Sequence, residues 1–270
     1  MARRLSRTAL FGAAVVVVYA ALSIAAPWLA PHAPDEVFAG GAFEPPSGAF
    51  WFGTDSLGRD VLSRVLFGGR TLLLMAGSAT AISVAIGGAL GMLLGLRRGL
   101  ADQVVMRLID IVMSVPPIIF ALLLIGALGP SALLIIVVVG LLFTPNVTRV
   151  MRAATLAVVG EDFVLAARAR GESGAAIVLR ELLPNVAGTL LIEFSIRTGF
   201  ATIFISGLGF LGFGAPPPTP DWGVMINEGR STMDASIWPV VAPAVCMALL
   251  VTSLNLFTDG VARVVDRAAR

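Results

Sequence analysis

The stretch "TLLLMAGSATAISVAIGGALGMLLGL", Thr71–Leu96, contains no charged residue. A helix needs about 20 apolar residues to cross the roughly 30 Å hydrocarbon core of a bilayer, so this stretch is long enough to span one. A helix in a water-soluble core would carry polar residues every few positions, and this one does not. Five other predominantly apolar stretches read the same way: Thr8–Leu29, Val104–Leu128, Ser131–Val150, Val186–Phe213 and Ile237–Thr258. Composition agrees. The chain of 270 residues is 57% hydrophobic and 13% charged, with a mean hydropathy of +0.92, too few charges to coat a soluble domain of this size.

The expected fold is therefore an all-α membrane protein with six transmembrane helices. It is read as a single domain over 1–270, with an N-terminal span at 8–29 and a five-helix core at about 71–258. The first span has the basic start and apolar middle of a secretory signal, but its apolar segment is longer than a signal core and five more spans follow. "GPS" at Gly129–Ser131 separates spans three and four, which makes them a tight helical hairpin.

All 19 basic residues are arginines, and their distribution sets the orientation. With the N-terminus in the cytoplasm, Arg3, Arg4, Arg7, Arg97, Arg98, Arg107, Arg149, Arg152, Arg168, Arg170, Arg180, Arg263, Arg267 and Arg270 lie inside. Only Arg59, Arg64, Arg70 and Arg230 lie outside. Cytoplasmic loops are enriched in basic residues, so both termini are expected in the cytoplasm.

Several function classes drop out on residue types alone. The chain has no Lys, and the phosphate-binding loop of ATPases needs one, so ATP chemistry would have to come from a partner. One His (His32) and one Cys (Cys246) leave no disulfide framework, no His-based metal site and no His-centred triad. A net charge of +2 carries no signal for nucleic acid.

The most informative soluble excursion is internal: "GEDFVLAARARGESGAAIVLRELLPN", Gly160–Asn185. Phe163–Arg170 holds good helix formers, Gly171 offers a break, and Glu172 or Ser173 can start a second short helix that Pro184 would end. Such a unit is either an amphipathic loop on the headgroups or a rigid knob that docks into a groove on another protein. Ala166, Ala167, Gly171, Leu183 and Pro184 form a pattern that resembles the cytoplasmic "EAA" loop of ABC importer permeases, with Leu165 at the Glu position and Glu181 at an apolar one.

Three further segments are similar to the dipeptide/oligopeptide/nickel branch of that family: "FGTDSLGRDVLSRVLFGGRTLL" (Phe52–Leu73), "LGFLGFGAPPPTPDWGVMINEGR" (Leu208–Arg230) and "LNLFTDGVARVVDR" (Leu254–Arg267). The resemblance implies one permease subunit in a heterodimer with a related permease. It implies two cytoplasmic ATPase subunits that bind ATP and Mg, an external solute-binding protein, and a place in the bacterial inner membrane. Peptides are the expected solutes, with nickel chelates next. In that reading Ala166, Ala167, Gly171, Leu183 and Pro184 are the ATPase-coupling loop.

Other residues are candidates on physical grounds. Thr54 or Asp55 can cap a short helix over Leu57–Phe67, placing Arg59, Asp60 and Arg64 toward water or a binding protein. Trp222 is the residue type found at membrane interfaces. Glu193 and Arg197, four apart on span five, can pair, as a structural ion pair or as part of a solute path. Gly87, Gly91 and Gly95 offer close helix packing. Pro116-Pro117 should kink span three, and Gly207, Gly209, Gly212 and Gly214 should loosen the end of span five. An ion-coupled secondary transporter is the rival reading, but it would call for more intramembrane carboxylates than Asp110 and Glu193.

Overall fold

The computed structural model describes residues 7–269, with side chains as far as Arg263; Arg3, Arg4 and Arg270 lie outside the described residues, as does the side chain of Arg267. The described chain is helical, with a single isolated bridge between Thr54 and Asp60. We number the helices α1 (Arg7–Leu29), α2 (Val61–Arg97), α3 (Leu100–Ser114), α4 (Pro117–Leu128), α5 (Ala132–Val158), α6 (Asp162–Ala169), α7 (Gly174–Phe213), α8 (Trp222–Gly229) and α9 (Trp238–Ala269). Five of them, α1, α2, α5, α7 and α9, are long and apolar enough to cross a membrane. The sixth expected span, over Val104–Leu128, is divided into α3 and α4, which meet at 81°. Counting that bent pair as one span gives six.

The bend follows from Pro116 and Pro117. Neither has an N–H to donate, and Val115 before them is extended at φ −89°, ψ 129°. Two prolines in succession break the helix where one would bend it.

Helix packing in lipid gains little from burying apolar surface, so close backbone approach matters more. The glycine stripe on α2 supplies it. A Cβ on Gly87 would lie 2.8 Å from the Thr144 carbonyl oxygen, one on Gly91 would lie 2.6 Å from that of Thr148, and one on Gly95 would lie 2.7 Å from Thr155 Cβ. All three contacts are on α5. Gly140 on α5 returns the arrangement, 2.9 Å from the Ala79 carbonyl oxygen. At the N-terminal end, Gly12 of α1 meets Ser253 of α9, and the Tyr19 hydroxyl donates to the Cys246 carbonyl at 3.0 Å.

Three local expectations change. The helix expected over Leu57–Phe67 is absent as a separate unit. Gly58 sits at φ +68°, where a turn is formed, and Asp60 takes the cap by accepting the Ser63 N–H at 3.0 Å. The helix then starts at Val61 and runs unbroken through span two. Pro184 does not end a helix. The Leu183 N–H reaches back five residues to the Val178 carbonyl, and this wider turn over Ile177–Leu182 accommodates the ring whose clash would otherwise break the helix.

Trp222, finally, is not an interfacial anchor. It is 1% exposed, its Nε1 donates to the Val65 carbonyl at 2.8 Å, and its ring lies on Gly68 and Gly69. The glycines of span five serve the same element. Cβ atoms on Gly209 and Gly214 would press on the Asp221 carboxylate, so these two positions seat the start of α8, and Gly212 at φ +87° turns the chain there.

Candidate functional site

The Gly160–Asn185 excursion is a compact helix–turn–helix. Asp162 opens α6 and Arg168 lies in its last turn, charges that suit the helix dipole at each end. Val164 and Ala167 face inward and are fully buried in a cluster with Met92, Leu96, Met151, Ile177, Val178 and Leu182. Arg168 Nη2 donates to the Leu96 carbonyl at 3.1 Å, which ties α6 to the last turn of α2. The turn rests on Gly171 at φ +75°, a conformation that side chains disfavour, with its N–H on the Arg168 carbonyl at 3.0 Å. The Ser173 hydroxyl then caps α7 by accepting the Ala176 N–H at 3.3 Å. Arg170 closes the turn on Glu172 at 2.7 Å and on Glu181 at 3.4 Å.

The outward face of this unit carries Leu165, Ala166, Ala169 and Leu179, with Leu165 50% and Leu179 63% exposed. Pro184 is exposed and Leu183 half-buried. Ala167 was expected beside a partner, together with Ala166. Only Ala166 is available, because the helix turns Ala167 by about 100° onto its own core.

Within the spans, Glu193 and Arg197 pair at 3.0 Å, with side chains 6% and 15% exposed, and the Arg197 guanidinium lies 5.8 Å from the Phe200 ring centre. Asn255 is exposed beside Gly199. At the end of the bundle that carries α6, Arg152 holds Asp102 through two bonds of 2.6 Å, and Arg149 pairs with Asp110. The Asp102–Arg152 pair was not foreseen, since Asp102 lies in a polar stretch and its partner is 50 residues away.

Arg59, Asp60 and Arg64, expected to face water or a binding protein, form no open contact surface. Asp60 is 1% and Arg64 6% exposed. Arg64 Nη1 donates to Asp55 Oδ2 at 2.5 Å, while Arg64 Nη2 and Arg59 Nη2 reach Glu228 Oε2 at 3.2 and 3.1 Å. Arg59 Nε also donates to Asp55 at 2.7 Å. Four charges thus pin the segment before α2 to α8. Asp221, the N-cap of α8, accepts from the Gly223 and Val224 N–H groups at 2.7 and 3.1 Å. Its burial pushes the carboxyl above the usual carboxylate range in spite of those bonds. Among the described residues no group of three or more His, Cys, Asp or Glu gathers as a metal site.

Residues 87–270 match the family described as binding-protein-dependent transport system inner membrane component. The chain belongs to that family. Residues 3–46 match the N-terminal transmembrane domain of oligopeptide transport permease C. Similar relatives include the di/tripeptide transport system permease protein DppC of Pseudomonas aeruginosa, 34% identical over 93% of this chain and 84% of its own length. The glutathione transport system permease protein GsiD of Escherichia coli O6:K15:H31 is 36% identical over 97% of this chain and 87% of its own. Among solved structures, one of the inward-facing conformations of the MetNI methionine ABC transporter matches with a TM-score of 0.59 and 21% identity, over 76% of this chain and 96% of that one. That last match supports the fold alone.

This binding-protein-dependent permease is accordingly a multi-pass protein of the bacterial inner membrane and a subunit of an ABC importer. The ion-coupled secondary transporter is not favoured. The permease match begins at Gly87, inside α2, and covers the whole helix–Gly–helix unit; the oligopeptide-permease match covers α1 and the start of the segment that follows it.

Proposed function

We propose that this permease forms half of a solute path for peptides or similar small solutes, paired with a second, related permease. Nickel chelates are the next class. Both termini face the cytoplasm, and residues 1–270 act as one transmembrane domain. Two cytoplasmic ATPases bind ATP and Mg and supply the energy, and an external solute-binding protein delivers the cargo. The chain itself neither binds nor hydrolyses ATP, having no Lys for a phosphate loop.

The observation that carries this reading is the surface of the helix–Gly–helix unit. It is fastened to α2 and α5 by its buried side, and it leaves a small-residue, apolar outer face at Leu165, Ala166, Ala169 and Leu179. A rigid body with one bonded face and one free face can pass a push from an ATPase to the spans, switching the path between inward-open and outward-open states. Gly171, Leu183 and Pro184 shape that body rather than contact the partner. Glu193–Arg197 lies within α7 and is proposed to border the path.

The test is uptake of a labelled di- or tripeptide by cells lacking the chain and by the same cells supplied with it, with a nickel chelate as a second arm. ATP-dependent uptake that returns with the chain supports the reading. Uptake that survives ATP depletion and follows a proton or sodium gradient overturns it.

A further inference from the structure

Two cavities meet at Arg70. One, of about 420 Å³, lies between α1 and α2 and is walled by Ile24, Pro27, Trp28, Leu73 and Leu74. The other, of about 320 Å³, opens beside it on Asp35, Phe67, Thr71 and Pro218, and shares Arg70 and Leu74 with the first. Each is within the range of small-molecule sites, roughly 300–1,000 Å³. The first is apolar apart from Ser23 and Arg70, and the second adds Asp35.

The side chains of Arg70 and Asp35 are exposed, and neither makes a hydrogen bond or ion pair with any described residue. The other arginines of the same end are engaged. Arg59 and Arg64 hold carboxylates, and Arg230 lies over the Phe210 ring at 5.5 Å. Depth is fixed by two landmarks. Arg70 directly precedes the uncharged stretch of α2, and Trp28, 80% exposed, ends α1. A cation and a Trp at that position mark the headgroup layer. Moving back along α1 from Trp28 to Ile24, and forward along α2 from Arg70 to Leu74, the groove descends into the hydrocarbon.

We propose that this junction is a binding site for an aminophospholipid. The phosphate sits on Arg70, the headgroup ammonium turns toward Asp35, and one acyl chain fills the α1–α2 groove. An inorganic anion would leave the groove empty. A soluble protein could reach Arg70 but not the apolar wall below headgroup level. An acyl chain alone would give Arg70 and Asp35 nothing to bind. Only an amphiphile with a zwitterionic head uses both cavities.

The test is native mass spectrometry of the full chain in detergent, offered phosphatidylethanolamine or phosphatidylglycerol. Wild type should retain the first over the second. Arg70→Ala should lower retention about fivefold, the worth of one cation at a membrane surface. Arg70→Lys should retain most of it, and Leu74→Trp, which blocks the groove, should lower it without touching either charge. Asp35→Asn should abolish the preference between the two lipids. Wild-type retention in both Arg70→Ala and Leu74→Trp overturns the proposal. So does release of the lipid by excess inorganic phosphate, which would mark a free-anion site. Loss of binding-protein association in Arg70→Ala with lipid retention unchanged would make the surface a protein contact and overturn it equally.

Discussion

Arg64 joins Asp55 before α2 to Glu228 on α8. Both Arg64 and Asp55 are taken out of water, with side chains 7% and 6% exposed. Removing one partner of a buried pair costs about 3–5 kcal/mol when the other charge is stranded; Arg59 would still hold Asp55, so the loss here falls below that range. Arg64→Ala should therefore lower the melting temperature of the purified permease below that of Glu228→Gln, whose own carboxylate is 39% exposed and whose pairing is worth about 1 kcal/mol or less. Equal losses in the two variants would argue against a buried clamp. Sequence spacing placed Arg64 on a solvated helix face because Glu228 stands 164 residues away, and a local pattern cannot show a distant counter-charge. Asp221 offers a second test at this scale. Its burial raises the folded carboxyl above the unfolded value, so the fold favours the neutral acid. The stability it contributes is complete below the unfolded value of about 3.9 and is lost as pH rises through the raised folded value. Asp221→Asn keeps an acceptor at the cap and removes the titration. Its melting temperature should gain on that of the wild type as pH rises from about 4. Parallel pH profiles for the two proteins would refute the assignment.

At the scale of elements, the α2–α5 contact is where sequence and structure agree in detail. Glycines four apart predicted a close helix neighbour, and the structure supplies it at Thr144, Thr148 and Thr155. Gly91→Ala places a methyl 2.6 Å from one backbone oxygen and 2.8 Å from the Arg152 nitrogen, neither of which can swing aside. Overpacking of this kind costs about 1–3 kcal/mol. Gly77, on the same helix, has no atom within 4 Å of its would-be Cβ. Gly77→Ala should be neutral or stabilising by up to about 1 kcal/mol from helix propensity. Thermal melts of the two variants in one detergent should separate clearly, and similar melts would mean that α2 and α5 do not pack as described. Other elements were legible only in part. Paired prolines announce a disturbance, but whether it is a kink or an 81° break depends on what the two halves pack against. Pro184 reads as a stop from residue rules, yet a wider helical turn bypasses it. Trp222 reads as an anchor because residue type alone does not reveal a slot floored by Gly68 and Gly69, whose hydrogen-bond acceptor, the Val65 carbonyl, stands 157 residues away in sequence.

For the whole molecule, apolar run length was enough to give a helical membrane bundle, since lipid tolerates few other ways to satisfy a backbone. Orientation rests on charge. Reporters fused after Arg98 and after Arg270 should read cytoplasmic and one after Gly48 external, and an external C-terminal reading would reverse the proposed arrangement. The proposed coupling unit was visible as helix, glycine and helix, but the side left free for a partner was not, because the sequence does not say which flank α2 and α5 occupy. That flank decides the last prediction. Ala167 is fully buried in the cluster with Leu96 and Met151, and Ala166, one position earlier, is exposed. Ala167→Glu puts a carboxylate into an apolar cluster, so it should destabilise the permease itself. Ala166→Glu should leave the spans and the melting temperature intact. If Ala166 lies against an ATPase, the added bulk costs about 1–3 kcal/mol at that contact, which weakens association roughly 5- to 150-fold. Co-purification of ATPase with Ala166→Glu should fall by that factor, and peptide uptake should fall with it. Both measurements are needed, because uptake alone would also fall in an unstable protein such as Ala167→Glu. Full association and full uptake with Ala166→Glu, in a permease that melts like wild type, would remove the outer face of α6 from the coupling path and leave Leu179 on α7 as the surface to examine.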